Sequence, residues 1–124
     1  MERRINTTFL FKSTSVAAGT SGISDVIDLR DISKNGDFSL SYTTEKPATG
    51  MTCGTTVFSY SCCPVYDGTY VTPSTGNFAT CTGTAGTSDI ISFTPVTTPF
   101  MKINVSAGTS GTAGIKVTAA LHVR

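Results

Sequence analysis

The stretch "DFSLSYTT" (residues 37–44) decides the fold, because its apolar and hydroxyl side chains alternate with a period of two. Phe38, Leu40 and Tyr42 share one face, and serine and threonine occupy the other. This pattern is typical of an antiparallel sheet with one face on a core and the other in water. The Asn-Gly turn signal at 35–36 precedes the stretch and "EKPATG" (45–50) follows it, so the sequence predicts a strand bounded on both sides.

Similar alternation recurs along the chain. It is found in "RINTTFLFK" (4–12), "ISDVIDLRD" (23–31), "TTVFSYSCC" (55–63), "NFATC" (77–81), "SDIISFTP" (88–95), "FMKINVS" (100–106) and "GIKVTAALHVR" (114–124). The first of these is expected to place Ile5, Thr7, Phe9 and Phe11 on one face. The second is expected to turn Ile23, Ile27 and Leu29 inward.

Seven or eight short strands with turns about every ten residues predict an all-β protein. We expect an antiparallel β-sandwich of jelly-roll or immunoglobulin-like type, with a small β-barrel as the alternative. Residues 1–124 are interpreted as one domain, with an N-terminal docking strand at 1–12 and a cysteine-containing loop insertion around 50–82. The 23 Thr, 14 Ser and 12 Gly fit this class, since threonine suits pleated surfaces and glycine suits turns.

Charge and hydropathy argue against several partners. The net charge is +1, and no basic cluster extends beyond Arg3-Arg4, so neither nucleic acid nor a membrane surface is an expected partner. No apolar run approaches the length of a membrane helix. The apolar "FLF" (9–11) is too short for a secretory signal, so we expect the chain to be made in a cytoplasm.

The four cysteines are Cys53, Cys62, Cys63 and Cys81, with spacings of 9, 1 and 18 residues. These spacings do not fit a structural zinc site or a Cys-x-x-Cys redox motif, so no metal is expected. Two disulfide arrangements avoid a strained 62–63 bridge: 53–62 with 63–81, and 53–63 with 62–81. Free buried thiols are an equal alternative.

No catalytic constellation is visible in the sequence. His122 is the single histidine, on the polar face of the last predicted strand, and no Gly-x-Ser-x-Gly elbow is present. We therefore expect neither enzymatic activity nor a cofactor. Tyr66, Asp67 and Tyr70 cluster on a mid-chain loop, where aromatic side chains either contact a ligand or partner or fill the core.

The order of features from "SDVIDLRDISKNGDFSLSYTT" (24–44) through "SDIISFTPVTTPFMKINVSAGTSGTAGIKVTAALHVR" (88–124) resembles small all-β virion proteins of tailed bacteriophages. The shared features are an Ile-Asp-Leu strand, a glycine turn into "FSLSY", an Asp-Gly loop, a proline-flanked corner and an alternating final strand. The cysteine-rich segment "MTCGTTVFSYSCCPVYDGTY" (51–70) departs from that group.

The resemblance implies a capsid decoration or tail component that assembles in a host cytoplasm and contacts copies of itself and other virion proteins. Within it, the segment carrying Arg3, Ile5, Phe9 and Phe11 is a candidate strand for addition to a partner's sheet, with pairing in its own sheet as the alternative. A glycan- or receptor-binding module that uses Tyr66, Asp67 and Tyr70 on a cell surface is the rival prediction.

Overall fold

A computed structural model describes residues 5–31, 36–47, 53, 55–81, 86–108 and 114–124. In these ranges the secondary structure consists of strands, and no helix there is long and apolar enough to cross a membrane. The strands are β1 (Asn6–Val16), β2 (Ser21–Ile23), β3 (Ile27–Asp28), β4 (Phe38–Glu45), β5 (Thr56–Cys63), β6 (Asn77–Cys81), β7 (Thr87–Phe93), β8 (Phe100–Ala107) and β9 (Ile115–Val123).

The strands form two antiparallel sheets. One sheet has the order β1-β9-β4-β7, and the other has the order β2-β8-β5-β6, with β3 also paired to β8. Because β2 and β3 pair with the same neighbour, they are two pieces of one interrupted strand, and eight strand positions result. Their order is that of a jelly roll. The predicted antiparallel β-sandwich is confirmed in its jelly-roll form, and the barrel alternative is wrong because the sheets remain separate.

The core lies between the sheets and follows the predicted alternation. From β9 it receives Ile115, Val117, Ala119, Leu121 and Val123, each at most 2% exposed. Phe38, Leu40 and Tyr42 of β4 and Met101, Ile103 and Val105 of β8 are also buried. The two sheets meet through aromatic contacts, among them the rings of Tyr42 and Phe58, whose centroids are 4.6 Å apart.

The interruption between β2 and β3 changes one predicted face. Ile23 is 63% exposed, whereas Ile27 and Leu29 are buried as predicted. Ser24 occupies the interruption, and its hydroxyl accepts a hydrogen bond from the Ile103 amide while donating one to the Asp25 carbonyl. The chain therefore departs from regular strand geometry at the buried Ser24. The prediction that Ile23 faces inward is wrong.

Two register shifts in β1 overturn the prediction that Ile5, Thr7, Phe9 and Phe11 share a face. Phe9 pairs with Ala120 and Phe11 with Ala119, so two steps on β1 match one step on β9. Such a bulge reverses the alternation. Phe11 is consequently 4% exposed and Phe9 64% exposed. Ser13, with φ at 46°, marks the second irregularity, where its amide donates to the hydroxyl of Thr118.

The predicted loop insertion around 50–82 is also wrong for the described part of that range. Two strands, β5 and β6, lie within it, and β5 is an interior strand of the second sheet, paired with β8 on one side and β6 on the other. The irregular part is the connection between them, and residues 48–52, 54 and 82–85 lie outside the described residues.

The bulge predicts opposite outcomes for two nearby phenylalanines. Phe11→Ala is expected to lower the free energy of unfolding by about 3–5 kcal/mol, because it opens a cavity in the core. Phe9→Ala is expected to change it by less than about 0.5 kcal/mol, because that side chain is exposed. Urea unfolding of both variants measures the difference, and equal losses would contradict the assigned register.

Candidate docking surface

The outer face of the β1-β9-β4-β7 sheet carries small side chains along its two central strands. Ser39, Ser41 and Thr43 alternate with the buried residues of β4. Thr118 and Ala120 do the same on β9. Thr43 and Ser88 join their hydroxyls at 3.0 Å across β4 and β7. The middle of this face is therefore a low floor of hydroxyl and methyl groups.

Two exposed apolar residues stand on either side of this floor. Phe9 on β1 pairs with Ala120, Ala120 pairs with Ser41, and Ser41 pairs with Ile90 on β7. All four therefore lie in one row across the sheet, about 14 Å wide from three strand spacings. Phe9 is 64% exposed and Ile90 is 70% exposed. Between them lies an open groove of about 550 Å³, which we call the outer groove.

His122 lies next to this groove and bridges three strands. Its Nδ1 is 2.9 Å from the hydroxyl of Thr7 on β1, and its Nε2 is 2.9 Å from the hydroxyl of Ser41 on β4. The sequence predicted a solvent-facing histidine at the end of the chain. The side chain is instead half-buried and ties both neighbouring strands to β9.

The Ser41–His122 contact has the distance of a nucleophile and its base, but its surroundings fit a structural role. The group on the far ring nitrogen is the neutral hydroxyl of Thr7, which supplies no charge to stabilise an imidazolium. Ser41 also lies within β4, between its ladder partners Ala120 and Ile90. Backbone amides engaged in such ladders are not free to form an oxyanion hole.

Each of the two edge strands of this sheet carries an irregularity or a charged side chain. Among the described strands, β1 and β7 lie at its two edges. β1 carries the two register shifts, and on β7 the amide of Ile90 donates to the carboxylate of Asp89 at 2.8 Å. Bulges and charged side chains discourage pairing with a further strand. The face of the sheet is thus more accessible to a partner than its edges.

The predicted docking strand has a different position from the one expected. Ile5 is exposed before β1, Phe9 lies on the outer face, and Phe11 is in the core. Residues Asn6–Val16 pair with β9, so the alternative of pairing in their own sheet is what the structure contains. Arg3 lies outside the described residues.

The loop at 64–70 covers one end of the outer face of the opposite sheet, at Cys63 and Phe100. The ring of Tyr66 meets that of Phe100 edge to face at 5.7 Å, and the guanidinium of Arg30 lies 5.0 Å from the centre of the Phe100 ring. The loop also covers Cys63, where an added Cβ on Gly68 would overlap Sγ. Its contacts hold the loop against the sheet.

The predicted ligand residues of this loop are brought together only in part. Tyr66 is 58% exposed, and Asp67 is exposed as well. Tyr70 is half-buried, with its hydroxyl donating to the carbonyl of Tyr66 at 2.9 Å and its ring 4.4 Å below the ammonium of Lys102. The hydroxyl of Tyr70 and one face of its ring are therefore engaged in contacts within the protein.

All four cysteines are free and buried. Cys62 points into the core, and the following Cys63 points to the outer face beneath the loop, as expected for neighbours on a strand. Cys81 pairs with Thr56, at the opposite end of β5. Cys62 lies six residues further along that strand, which is about 20 Å.

This separation excludes both predicted disulfide arrangements. Each arrangement joins Cys81 to Cys62 or Cys63, whereas bridged cysteines have Cα atoms within about 7 Å. The prediction weighed only the strain of a bridge between adjacent cysteines, whereas the length of β5 holds Cys62 and Cys63 away from Cys81.

Buried hydroxyl and thiol groups collect near Cys81. Burial, together with the nearby Cys81 to which its hydroxyl donates, raises the pKa of Tyr42 to about 12. Burial likewise raises the pKa of the Cys81 and Cys53 thiols. Each of these groups is thereby kept neutral in the folded protein, which disfavours reactive thiolate chemistry here.

The raised pKa of Tyr42 predicts a loss of stability at alkaline pH. In the unfolded chain its pKa is near 10, so between pH about 10 and about 12 only the unfolded state releases the proton. The free energy of unfolding should fall as pH rises through this window. Tyr42→Phe should make the fall shallower in urea unfolding at several pH values; a slope equal to that of the parent protein would contradict the assignment.

Comparison with known proteins gives a distant structural likeness. No protein-family model matches the sequence, and no curated protein matches it either. Two similar solved structures are those of infectious bursal disease virus, from the Gx strain (TM-score 0.43, 17% identity) and the Gt strain (TM-score 0.40, 16% identity). Each alignment covers 98% of this chain but only 32% and 33% of the viral chains, so the chain spans about a third of their length. At these values the likeness carries no functional argument.

Proposed function

We propose that this chain is a non-enzymatic structural protein of a virion, serving as a capsid decoration or tail component of a tailed bacteriophage. It acts through repeated protein–protein contacts with copies of itself and with other virion proteins. Assembly takes place in the host cytoplasm. This function agrees with what the sequence resemblance to small all-β virion proteins implies.

The outer groove is the observation that carries this proposal. Phe9 and Ile90 present apolar side chains to solvent on either side of a floor of small residues, and such an open surface suits a protein partner better than a small molecule. The jelly-roll strand order supports the same function, since this architecture is common in viral capsid proteins. Fold alone does not define function, and the exposed surface supplies the specific argument.

Co-purification with particles tests the proposal. Particles from lysates of the host that carries this gene are banded on a density gradient, washed with high salt, and analysed by mass spectrometry for this chain. We expect it in the particle band at a constant ratio to the major shell protein, with a soluble cytoplasmic host protein as the control for carry-over. Recovery of the chain only from the soluble fraction would overturn a virion role.

The loop at 64–70 favours one alternative function, binding of a cell-surface glycan. Tyr66 and Asp67 are exposed side by side, and jelly rolls also occur in lectins. Against it, Tyr70 is half-buried, one face of its ring lies against the Lys102 ammonium, and its hydroxyl donates to the Tyr66 carbonyl. Tyr70 is therefore less available to a sugar than Tyr66.

A glycan array distinguishes this alternative. If the loop binds sugars, Tyr66→Ala should abolish binding, whereas Val71→Ala, at a similarly exposed position beyond the loop, should leave it intact. An array without signal for the parent protein would remove the alternative and leave the structural role as the only candidate.

A further inference from the structure

We propose that Cys53 and Cys81 form one structural disulfide bond under oxidising conditions, while Cys62 and Cys63 remain free thiols. The structure describes the reduced protein, in which all four thiols are free and buried. The proposal goes beyond the virion function and needs it only for the timing of the oxidation. It assigns a pairing that neither of the predicted disulfide arrangements contains.

The four cysteines lie in two groups at opposite ends of β5. Cys62 and Cys63 are the last two residues of this strand. Cys81 is the last residue of β6 and pairs with Thr56, the first residue of β5. Cys53 precedes Thr56 by three residues. About 20 Å of strand separates the two groups, so a disulfide bond joins cysteines of the same group.

The group at the far end of β5 is not suited to a bond. Cys62 points into the core and Cys63 points to the outer face, as neighbours on a strand do. A bond between adjacent cysteines is strained, and both residues already take part in the uninterrupted ladder between β5 and β8. Cys53 and Cys81 are therefore the pair that remains.

Burial places these two sulfurs in the same interior. Cys53 is 5% exposed and Cys81 is 8% exposed, and both belong to the cluster of buried side chains between the sheets. As ladder partners, Thr56 and Cys81 have Cα atoms about 4.5–5.5 Å apart. Since Cys53 is buried only three residues before Thr56, the chain that leads into β5 turns the Cys53 thiol into the interior that receives Cys81.

The groups around the two thiols agree with this placement. Burial is the main cause of the raised pKa of Cys81, and Cys53 contributes to it as a second ionisable sulfur nearby. The hydroxyl of Thr44 also forms a hydrogen bond with Cys81. Burial likewise raises the pKa of Cys53, on which the charges of Lys46 and Glu45 act as well. Both thiols therefore lie against the same end of β4.

Oxidised glutathione, a small-molecule disulfide, supplies the oxidant for the bond. The thiolate of one cysteine attacks a glutathione sulfur, which breaks the glutathione disulfide, forms a mixed disulfide and releases one glutathione thiolate. The thiolate of the second cysteine then attacks the protein sulfur of the mixed disulfide and releases the second glutathione. Two protein thiols are oxidised and one glutathione disulfide is reduced, and the two thiol protons end on the glutathione products.

The position of the bond makes it structural. β6 is an edge strand whose ladder partner among the described strands is β5, and a register shift interrupts that ladder. A bond from the last residue of β6 to the chain before β5 holds the edge strand in place. Under the proposed virion function, the bond forms after release, because a reducing cytoplasm keeps thiols free.

Burial also sets the rate of oxidation. The raised pKa of both thiols leaves little thiolate, and glutathione reaches them only when the end of β6 opens. Oxidation should therefore be slow in the folded protein and faster while the chain refolds.

Peptide mapping tests the pairing. The full chain is refolded from urea with reduced and oxidised glutathione, its free thiols are alkylated, and the protein is digested with chymotrypsin without reduction. Aromatic residues at 58 and 60 separate Cys53 from Cys62, and those at 66, 70 and 78 separate Cys63 from Cys81. We expect one cross-linked pair of peptides, containing Cys53 and Cys81, and alkylated Cys62 and Cys63. Four alkylated cysteines, or a bond to Cys62 or Cys63, would overturn the proposal.

Urea unfolding tests the structural effect. The oxidised parent protein should unfold at a urea concentration about 1 M or more above that of the reduced protein, because the bond restricts the unfolded chain. Cys81→Ala should remove this difference. Cys63→Ala, at an equally buried thiol outside the pair, is the matched control and should keep it. A bridged parent that unfolds at the same urea concentration as the reduced protein would overturn the structural role of the bond.

The bond and the virion role fail separately. A chain found in purified particles that refolds with four free thiols in the presence of oxidised glutathione overturns the bond and leaves the virion role in place. A chain that forms the bond but never appears in particles overturns the virion role and leaves the bond in place.

Discussion

The inward row of β9 is the constraint on which the rest of the sandwich depends. This strand is paired on both sides, with β1 and with β4, and its five inward side chains are almost fully buried. A slip by one residue would turn that row to solvent and bring Lys116, Thr118 and His122 into the core. The register of both neighbours is therefore fixed by the burial of one strand, and the outer face is fixed with it.

Alternation was enough to predict most of this architecture. The strands around Phe38, Phe58, Met101 and Val117 bury the faces that their sequences indicated, because the β4–β9 and β5–β8 ladders run without interruption. Prediction failed where the ladder is irregular. At Phe9 a bulge reverses the two-residue period, and next to Ile23 the strand is interrupted at Ser24. Neither irregularity can be recognised from the spacing of apolar residues in the sequence.

The docking surface was missed for the same reason. The sequence placed Phe9 and Phe11 together, so no exposed aromatic was expected on the outer face. Ile90 was assigned to a strand, but its exposure depends on its being at a sheet edge opposite Ser41, which only the strand order reveals. The cysteine pairing also required long-range information, because the length of β5 decides which thiols are near each other.

The 64–70 loop makes the two outer faces of the sandwich unlike each other. On the second sheet it covers the end at Cys63 and Phe100, whereas the first sheet exposes Phe9 and Ile90 on either side of a floor of small residues. A molecule that approaches from one side therefore meets a different surface from one that approaches from the other, and the sandwich has a distinct front and back.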